Sequence, residues 1–148
     1  MPATPQYCWP LVNQALGCEV WIKHENHTPT GAFKVRGGLV YLERLAASNP
    51  GLKHVVSATR GNHGLSLGFA APRHGIQAHI VVPRGNSQEK NNAMRALGVD
   101  LIKFGEEFQD CREYAATLAR LHDWHLIPSM HPDLLAGVAS YWLSLIHI

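Results

Sequence analysis

The chain alternates between two hydrophobic patterns. Short runs of β-forming residues predict strands at Glu19–Lys23, 54–57, 78–82, 99–104 and 124–127. Between these runs, apolar residues recur every three or four positions, which predicts helices at 11–16, 33–47, 62–74, 87–97, 107–122 and from 132 to the end. Strand and helix alternate at least four times with short connections, which is typical of right-handed βαβ units. The predicted fold class is therefore α/β, with an open, mostly parallel sheet and helices on both faces.

Two unusual stretches of sequence directly follow predicted strands. Residues 24–33 follow the first predicted strand and residues 58–62 follow the second. Ligands of open α/β sheets lie beyond the carboxyl ends of the strands. We therefore expect the two stretches to lie together at one edge of the sheet.

The first stretch leads into a lysine between a glycine turn and a helix, Thr30-Gly-Ala-Phe-Lys34-Val-Arg-Gly-Gly38. A lysine here is a poor core residue, because its ammonium group needs water or a partner. A partly buried amine loses its proton more easily and becomes a nucleophile, which suits a Schiff-base lysine. The alternative is a solvated lysine in the first turn of the helix.

The second stretch contains an asparagine and a histidine between two glycines, Gly61-Asn-His-Gly64. Such a turn brings the backbone close to a ligand, and the amides of a following helix N-terminus favour an anion. Asn62 could instead cap that helix, and Thr59 could simply end a strand. Together with Lys34, the turn indicates an amino-acid enzyme that uses pyridoxal phosphate (PLP).

Composition narrows the class of protein without identifying it. With 148 residues, of which 46% are hydrophobic and 16% charged, the chain is expected to form one globular domain. The formal charge of +2 is dispersed, so neither nucleic acid nor a membrane surface is an expected partner. The N-terminus lacks a signal pattern and no apolar run approaches membrane length, so we expect a cytoplasmic protein.

The cysteines and histidines form no recognisable metal or disulfide pattern. Three scattered cysteines argue against both a disulfide framework and a cysteine-based zinc site. Among ten histidines, two close pairs could each reach one ion, but carboxylate or cysteine partners at zinc-like spacing are missing, so no metal is expected. Ser66 and His63 would suit a hydrolase, yet the Gly-x-Ser-x-Gly elbow is absent.

Four motifs in order resemble one enzyme family. The segment from Lys23 to Gly38 resembles the lysine segment of the threonine/serine dehydratase branch of fold-type II PLP enzymes, the tryptophan synthase β-like superfamily. Ser57-Ala-Thr-Arg-Gly-Asn-His-Gly64 is similar to the family's Gly-Asn-His loop. Later stretches at 81–100 and 127–137 resemble its next strand–loop–helix and its Pro-x-x-His-Pro segment. The similarity spans about residues 19–141, and four motifs in sequence are far more specific than one.

The resemblance implies roles for individual residues. Lys34 would bind PLP as a Schiff base and later take the Cα proton of the substrate. Phe33 would pack beside the cofactor, and Asn62 would hydrogen-bond its 3′-oxygen. The turn of Thr59, Gly61, Asn62 and His63 would bind the substrate carboxylate through backbone amides and the Thr59 hydroxyl. The implied reaction converts threonine or serine to a 2-oxoacid and ammonia, with PLP stabilising the carbanion.

Departures from the family pattern leave alternatives open. Ala32 stands where the family commonly has serine, and residues 137–140 also differ from it. Arg60 stands where racemases often have the serine that supplies a proton to the second face. A guanidinium stays protonated, so racemisation is disfavoured. A β-replacement synthase, a serine racemase and a catalytically inactive chain remain the alternatives.

Members of that family are longer, and their Gly-rich phosphate loop lies in the second half, whereas here Gly37-Gly38 falls within a predicted helix. We therefore expect an N-terminal fragment, with a lead-in at 1–18, mainly the family's small domain at 19–142 and a truncated or non-family end at 143–148. Exposed apolar surface should follow, and the full-length form is expected to be a homo-oligomer. Lys23 and Glu25 are expected to form a salt bridge or a solvated strand end, and Arg36 a structural contact.

Overall fold

The computed structural model describes residues 1–145 of the chain. Its strands are β1 Gln6–Cys8, β2 Trp21–Lys23, β3 His54–Ala58, β4 Gln77–Val82, β5 Asp100–Lys103 and β6 His125–Leu126. Its α-helices are α1 Pro10–Leu16, α2 Lys34–Ser48, α3 Asn62–Ala70, α4 Gln88–Ala96, α5 Phe108–His122 and α6 Pro132–Ala139. Short 3₁₀ turns occupy Glu25–His27, Ala71–His74 and Ser140–Ser144.

Four strands form a parallel sheet in the order β5-β4-β3-β6. The register pairs Val56 with His79 and Ile80 with Leu101. Because successive side chains of a strand point to opposite faces, Val55 and Val56 belong to different hydrophobic clusters. The predicted α/β class with a parallel sheet is confirmed.

Helices cover both faces of this sheet, as predicted. Residues of α2, α3, α4 and α6 build the larger cluster around Leu42, Leu67, Met94 and Leu134. The opposite face is covered by α5, whose Cys111, Ala115 and Leu118 pack on Val56 and Val81. Of the helices within residues 1–145, none is long and apolar enough to cross a membrane.

The predicted strand at Glu19–Lys23 exists, but its expected place in the main sheet was wrong. It is shortened to Trp21–Lys23 and pairs antiparallel with β1 in a separate two-stranded sheet. Strands of three residues carry no sequence information about their partner, and β1 lies in a stretch that was expected to be a polar lead-in. The loop before Lys34 therefore does not follow a strand of the parallel sheet.

Two predicted helices end earlier than expected. The helix predicted to 74 leaves α geometry after Ala70, where Pro72, which has no backbone N–H, lies in a 3₁₀ turn. The C-terminal helix ends at Ala139 and continues as a 3₁₀ turn to Ser144. The last part of that prediction, residues 146–148, lies outside the described residues.

Candidate functional site

Lys34 is the first residue of α2, at the end of a tightly held turn. Gly31 supplies the left-handed backbone of that turn, with a φ of 66°. The Thr28 hydroxyl accepts a hydrogen bond from the Ala32 amide at 2.9 Å and donates one to the Ala32 carbonyl at 2.8 Å. Because the turn is fixed, the position at which α2 begins is fixed as well.

Helix α3 brings Lys34 next to the second motif. The Ser66 hydroxyl donates to the Lys34 carbonyl at 2.8 Å, and Gly38 lets the two helices approach, since a Cβ there would come within 3.0 Å of the Ser66 carbonyl oxygen. The two motifs thus meet where α2 packs on α3. The Lys34 side chain is exposed, and the expectation of partial burial was wrong.

The turn before α3 presents backbone amides and a side-chain hydroxyl that are available to bind a ligand. Gly61, not Asn62, is the N-cap of α3, and no side chain in the described part of the chain caps this helix. The capping alternative for Asn62 was therefore wrong, and its side chain is exposed beside the helix N-terminus. The Gly61 amide donates to the Thr59 hydroxyl oxygen at 3.1 Å, which leaves the hydroxyl proton of Thr59 able to donate. The first amides of α3 have no partner within the helix, so they can bind an anion.

His63 is a buried, uncharged histidine near Lys34. Its side chain is 8% exposed, and its Nε2 is a buried nitrogen without a hydrogen-bond partner among residues 1–145. Burial, together with the positive charge of Lys34, lowers the pKa of His63 to about 4. His63 is therefore neutral at neutral pH, and it adds a polar group without adding a charge.

Three of the predicted site residues line one cavity. Phe33, Lys34 and His63 surround a space of about 220 Å³. The other lining residues are Gly37, Ser129, Met130, Leu134, Leu135 and Val138. The remaining predicted residues, Thr59, Gly61 and Asn62, are not part of this lining and lie at the N-terminus of the same helix as His63.

A larger groove of about 560 Å³ lies on the other side of the loop between β6 and α6. It is lined by α5 residues, including Arg112 and Glu113, and by the ends of β3 and β6, and it shares Ser129 and Met130 with the cavity at Lys34. Because Lys34 and His63 do not line the larger groove, the smaller cavity is the candidate site.

Sequence reasoning missed several residues of the site. Ser66 was considered only as a hydrolase candidate, although it holds the Lys34 carbonyl. Ser129 and Met130 line the same cavity as Lys34. The sequence signal for the close contact between the helices was Gly38, which lacks a side chain. The signal for the cavity wall was the segment from Pro128 to His131, which resembles a motif of the family.

The charged residues around the site are structural. Arg36 is 6% exposed and binds Glu25 through two hydrogen bonds of 2.7 and 2.9 Å, which confirms its structural role. The partner of Glu25 is therefore Arg36, while Lys23 donates to the Thr4 carbonyl at 2.7 Å. The expected Lys23–Glu25 bridge was wrong because the loop folds Glu25 back onto α2.

Arg60 points away from the cavity toward α5. Its guanidinium contacts the Glu107 carboxylate at 3.3 Å, and both side chains are exposed. Such surface pairs contribute little to stability.

Apolar side chains around the cavity are exposed, as expected from the sequence. Phe33 is 42% exposed, Leu135 is 52% exposed and Met130 is 70% exposed. All three line the Lys34 cavity. Its rim is therefore an apolar surface.

Comparison with known proteins places these features in a family. A family model described as pyridoxal-phosphate dependent enzyme matches residues 2–146. An L-threo-3-hydroxyaspartate ammonia-lyase of Pseudomonas sp is 35% identical over 90% of this chain and 42% of its own length. A biosynthetic L-threonine dehydratase of Pasteurella multocida is 30% identical over 97% of this chain and 28% of its own length. Bovine (Bos taurus) serine racemase is 32% identical over 90% of this chain and 41% of its own length.

Solved structures agree with this fold. A pyridoxal 5′-phosphate-dependent aspartate racemase superposes with a TM-score of 0.93 at 30% identity, over 97% of this chain and 45% of that one. Threonine deaminase isoform 2 from Solanum lycopersicum gives a TM-score of 0.89 at 27% identity, over 97% and 40%. The chain spans less than half the length of each of these relatives.

Proposed function

The chain belongs to the pyridoxal-phosphate dependent enzyme family, and we propose that it carries the lysine side of the active site of an ammonia-lyase acting on threonine or serine. The observation that supports this most is the cavity that joins Lys34, Phe33 and the buried His63 beside the N-terminus of α3. Lys34 at the start of α2 and His63 in the first turn of α3 come from separate parts of the sequence, yet both line this cavity.

The residues present fit the ring and aldehyde end of PLP. Lys34 supplies an amine at the rim of the cavity, Phe33 supplies an aromatic wall, and the Nε2 of His63 is a buried polar atom without a partner in the described part of the chain. The exposed amide of Asn62 is available for a ring oxygen. The adjacent pair Gly37-Gly38 lies inside α2 and forms no phosphate loop.

PLP, when bound, supplies an electron sink for the carbanion that forms at the substrate Cα. The protein residues bind, orient and move protons around it. Lys34 Nζ would hold the cofactor and, once released by the substrate, would accept the Cα proton. The first amides of α3 and the Thr59 hydroxyl would bind the substrate carboxylate, which orients the Cα–H bond toward Lys34.

His63 supports this assignment through its charge state. Because His63 is neutral at neutral pH, it places no second positive charge beside Lys34. Lys34 Nζ is then the group of this cavity that exchanges a proton in the proposed reaction.

Arg60 favours a lyase over a racemase. Racemisation needs a group that returns a proton to the face opposite the lysine, and a guanidinium is too weak an acid to do so. Arg60 is moreover exposed and paired with Glu107. A β-replacement synthase, a racemase and a catalytically silent chain remain distinguishable by experiment.

The test is a 2-oxoacid assay on the 148-residue chain with added PLP and L-threonine or L-serine. We expect 2-oxoacid from the native chain and none from Lys34→Ala, because the proton acceptor is lost. Lys53→Ala, which changes another exposed lysine, is the matched control and should retain the activity. D-Serine formed from L-serine would instead identify a racemase. PLP bound at Lys34 without any turnover would identify a catalytically silent chain.

A further inference from the structure

Part of the wall of the Lys34 cavity is built by a loop far away in sequence. Lys34 enters the cavity from the start of α2, whereas Ser129 and Met130 enter it from the loop 128–131 between β6 and α6. The shape of the cavity therefore depends on how this loop is held against α2. One end of the loop is fixed to β3, because the Ile127 amide donates to the Val56 carbonyl and the Ser57 hydroxyl donates to the Ile127 carbonyl, both at 2.8 Å.

Tyr41 of α2 contacts residues on both sides of this loop. It lies seven residues after Lys34, which is about two helical turns, so both residues lie on a similar side of α2. Its hydroxyl is 2.9 Å from Nε2 of His125 in β6, before the loop. Its ring packs edge-to-face on the ring of His131, after the loop, with centroids 4.9 Å apart at 87°.

His131 itself fixes the start of α6. Its Nδ1 accepts a hydrogen bond from the Asp133 amide at 3.1 Å, which makes His131 the N-cap of that helix. Asp133 in turn forms an ion pair with Arg44 of α2. A change at Tyr41 therefore reaches the loop, the N-cap of α6 and the α6 side chains in the cavity wall.

Both partners of the hydrogen bond between Tyr41 and His125 are uncharged at neutral pH. Burial raises the pKa of Tyr41, and the negative charge of Asp133 raises it further, so the phenol keeps its proton. Burial lowers the pKa of His125, and the charge of His131 lowers it further, so this imidazole is neutral at neutral pH. The Tyr41 hydroxyl and His125 Nε2 therefore form a hydrogen bond between two uncharged groups.

We propose that Tyr41 is a positioning residue of the Lys34 site, which holds loop 128–131, and with it Ser129 and Met130, in place against α2. Tyr41 is 4% exposed and does not line the cavity, so it acts through the loop. The catalytic meaning of this contact rests on the proposed function of Lys34. The contact itself does not depend on that function.

The test compares Tyr41→Phe and Tyr41→Leu with the native chain. Phenylalanine keeps the ring on His131 and removes the hydrogen bond to His125, whereas leucine removes both contacts. Hydrogen exchange of peptides covering 128–131, measured by mass spectrometry, reports the loop, and borohydride trapping of PLP on Lys34 reports the site. We expect Tyr41→Phe to speed exchange of the loop and slow trapping by about five- to tenfold, the effect of one lost hydrogen bond, and Tyr41→Leu to have larger effects.

The matched control is Asn91→Leu. Asn91 is fully buried in α4, accepts a hydrogen bond from the Asn86 side chain at 2.7 Å and does not line the Lys34 cavity. Asn91→Leu should lower global stability in urea without changing loop exchange or trapping under native conditions. The proposal is overturned if both Tyr41 variants match the native chain, or if Asn91→Leu changes loop exchange equally. A native chain that is not trapped at Lys34 would refute the proposed function, while loop exchange would still decide the role of Tyr41.

Discussion

Glu25 and Arg36 form a nearly buried ion pair beside the start of α2. Their side chains are 14% and 6% exposed, and Thr4 adds a hydrogen bond of 2.6 Å to the same carboxylate. Burial raises the pKa of Glu25, but hydrogen bonds from Arg36 and Thr4 and the charges of Arg36 and Lys23 outweigh it. The pKa therefore lies below its ordinary value of 4.5. The pair ties the N-terminal segment to the helix that carries Lys34.

This pair predicts how stability depends on pH. A carboxyl group with a lowered pKa in the folded state stabilises the fold above the unfolded pKa, and this contribution is lost as pH falls through the folded pKa. Urea unfolding of the native chain, measured between about pH 3 and pH 7, should therefore show stability falling on the acid side, with a smaller fall in Glu25→Gln. At neutral pH, Glu25→Gln should lose about 3 kcal/mol, because Arg36 keeps a buried charge without its counter-ion.

Glu43 of α2, the helix that also carries Arg36, is exposed and provides the control for the pH dependence of stability. Glu43→Gln should follow the native pH dependence. Equal acid slopes in Glu25→Gln and the native chain would show that the pair makes no such contribution.

For single residues, the sequence predicted the positions of the candidate site residues better than it predicted their burial. Lys34 was expected at the junction of a glycine turn and a helix, and that is where it lies. Its exposure and the burial of His63 depend on how α2, α3 and loop 128–131 pack, which no local pattern contains. The sequence allowed two roles for Asn62, a helix N-cap or a contact to the cofactor. The structure places Gly61 at the N-cap, so only the cofactor contact remains a prediction.

The crossing of α2 and α6 is a close backbone contact between helices. A Cβ at Gly137 would lie 2.7 Å from the Cα of Gly37 and closer still to the Arg36 carbonyl oxygen. Both neighbours are backbone atoms, which cannot turn aside as a side chain can. Glycine weakens a helix in isolation, but here it permits the packing that places the cavity wall near Lys34.

Gly137→Ala is therefore expected to destabilise the protein. The added methyl group must separate the two helices, and overpacking of this kind costs about 1–3 kcal/mol or more. Urea or thermal unfolding measures the loss. Gly51→Ala is the control, because a Cβ at Gly51 meets nothing within 4 Å, and it should leave stability nearly unchanged. Equal stability of both variants would contradict the close crossing.

Long helices, in which apolar residues recur over many positions, were predicted correctly. The predictions failed for strands of only three residues. Helices α2 and α5, each of 15 residues, lie within one or two residues of their predicted bounds. The three-residue strand β1 was missed, and β2 was assigned to the wrong sheet, because such segments contain too few residues to specify a partner. Gly137 weakened the sequence signal for α6, because glycine is a poor helix former. The structure explains this glycine by the close contact between α6 and α2.

For the whole molecule, the order of motifs carried more information than composition did. Alternating strands and helices specified the parallel sheet, and four motifs in order indicated the PLP-dependent family that the comparisons then showed. The domain boundaries at 18 and 142 and the roles of the site residues stay predictions. The segment that carries Ser129 and Met130 was recognised as a family-like motif, but its place beside Lys34 was not predicted, because folding brings the two segments together.

Lys34 is the lysine that we propose to bind PLP in this chain. The most direct measurement is incubation with PLP, reduction with borohydride and mapping of the adduct by mass spectrometry, in the native chain and in Lys34→Ala. Lys23, Lys53, Lys90 and Lys103 serve as internal competitors in the same sample. We predict one equivalent of adduct at Lys34 in the native chain, and none at any lysine of Lys34→Ala. Labelling scattered over the five lysines, or no labelling, would contradict the account.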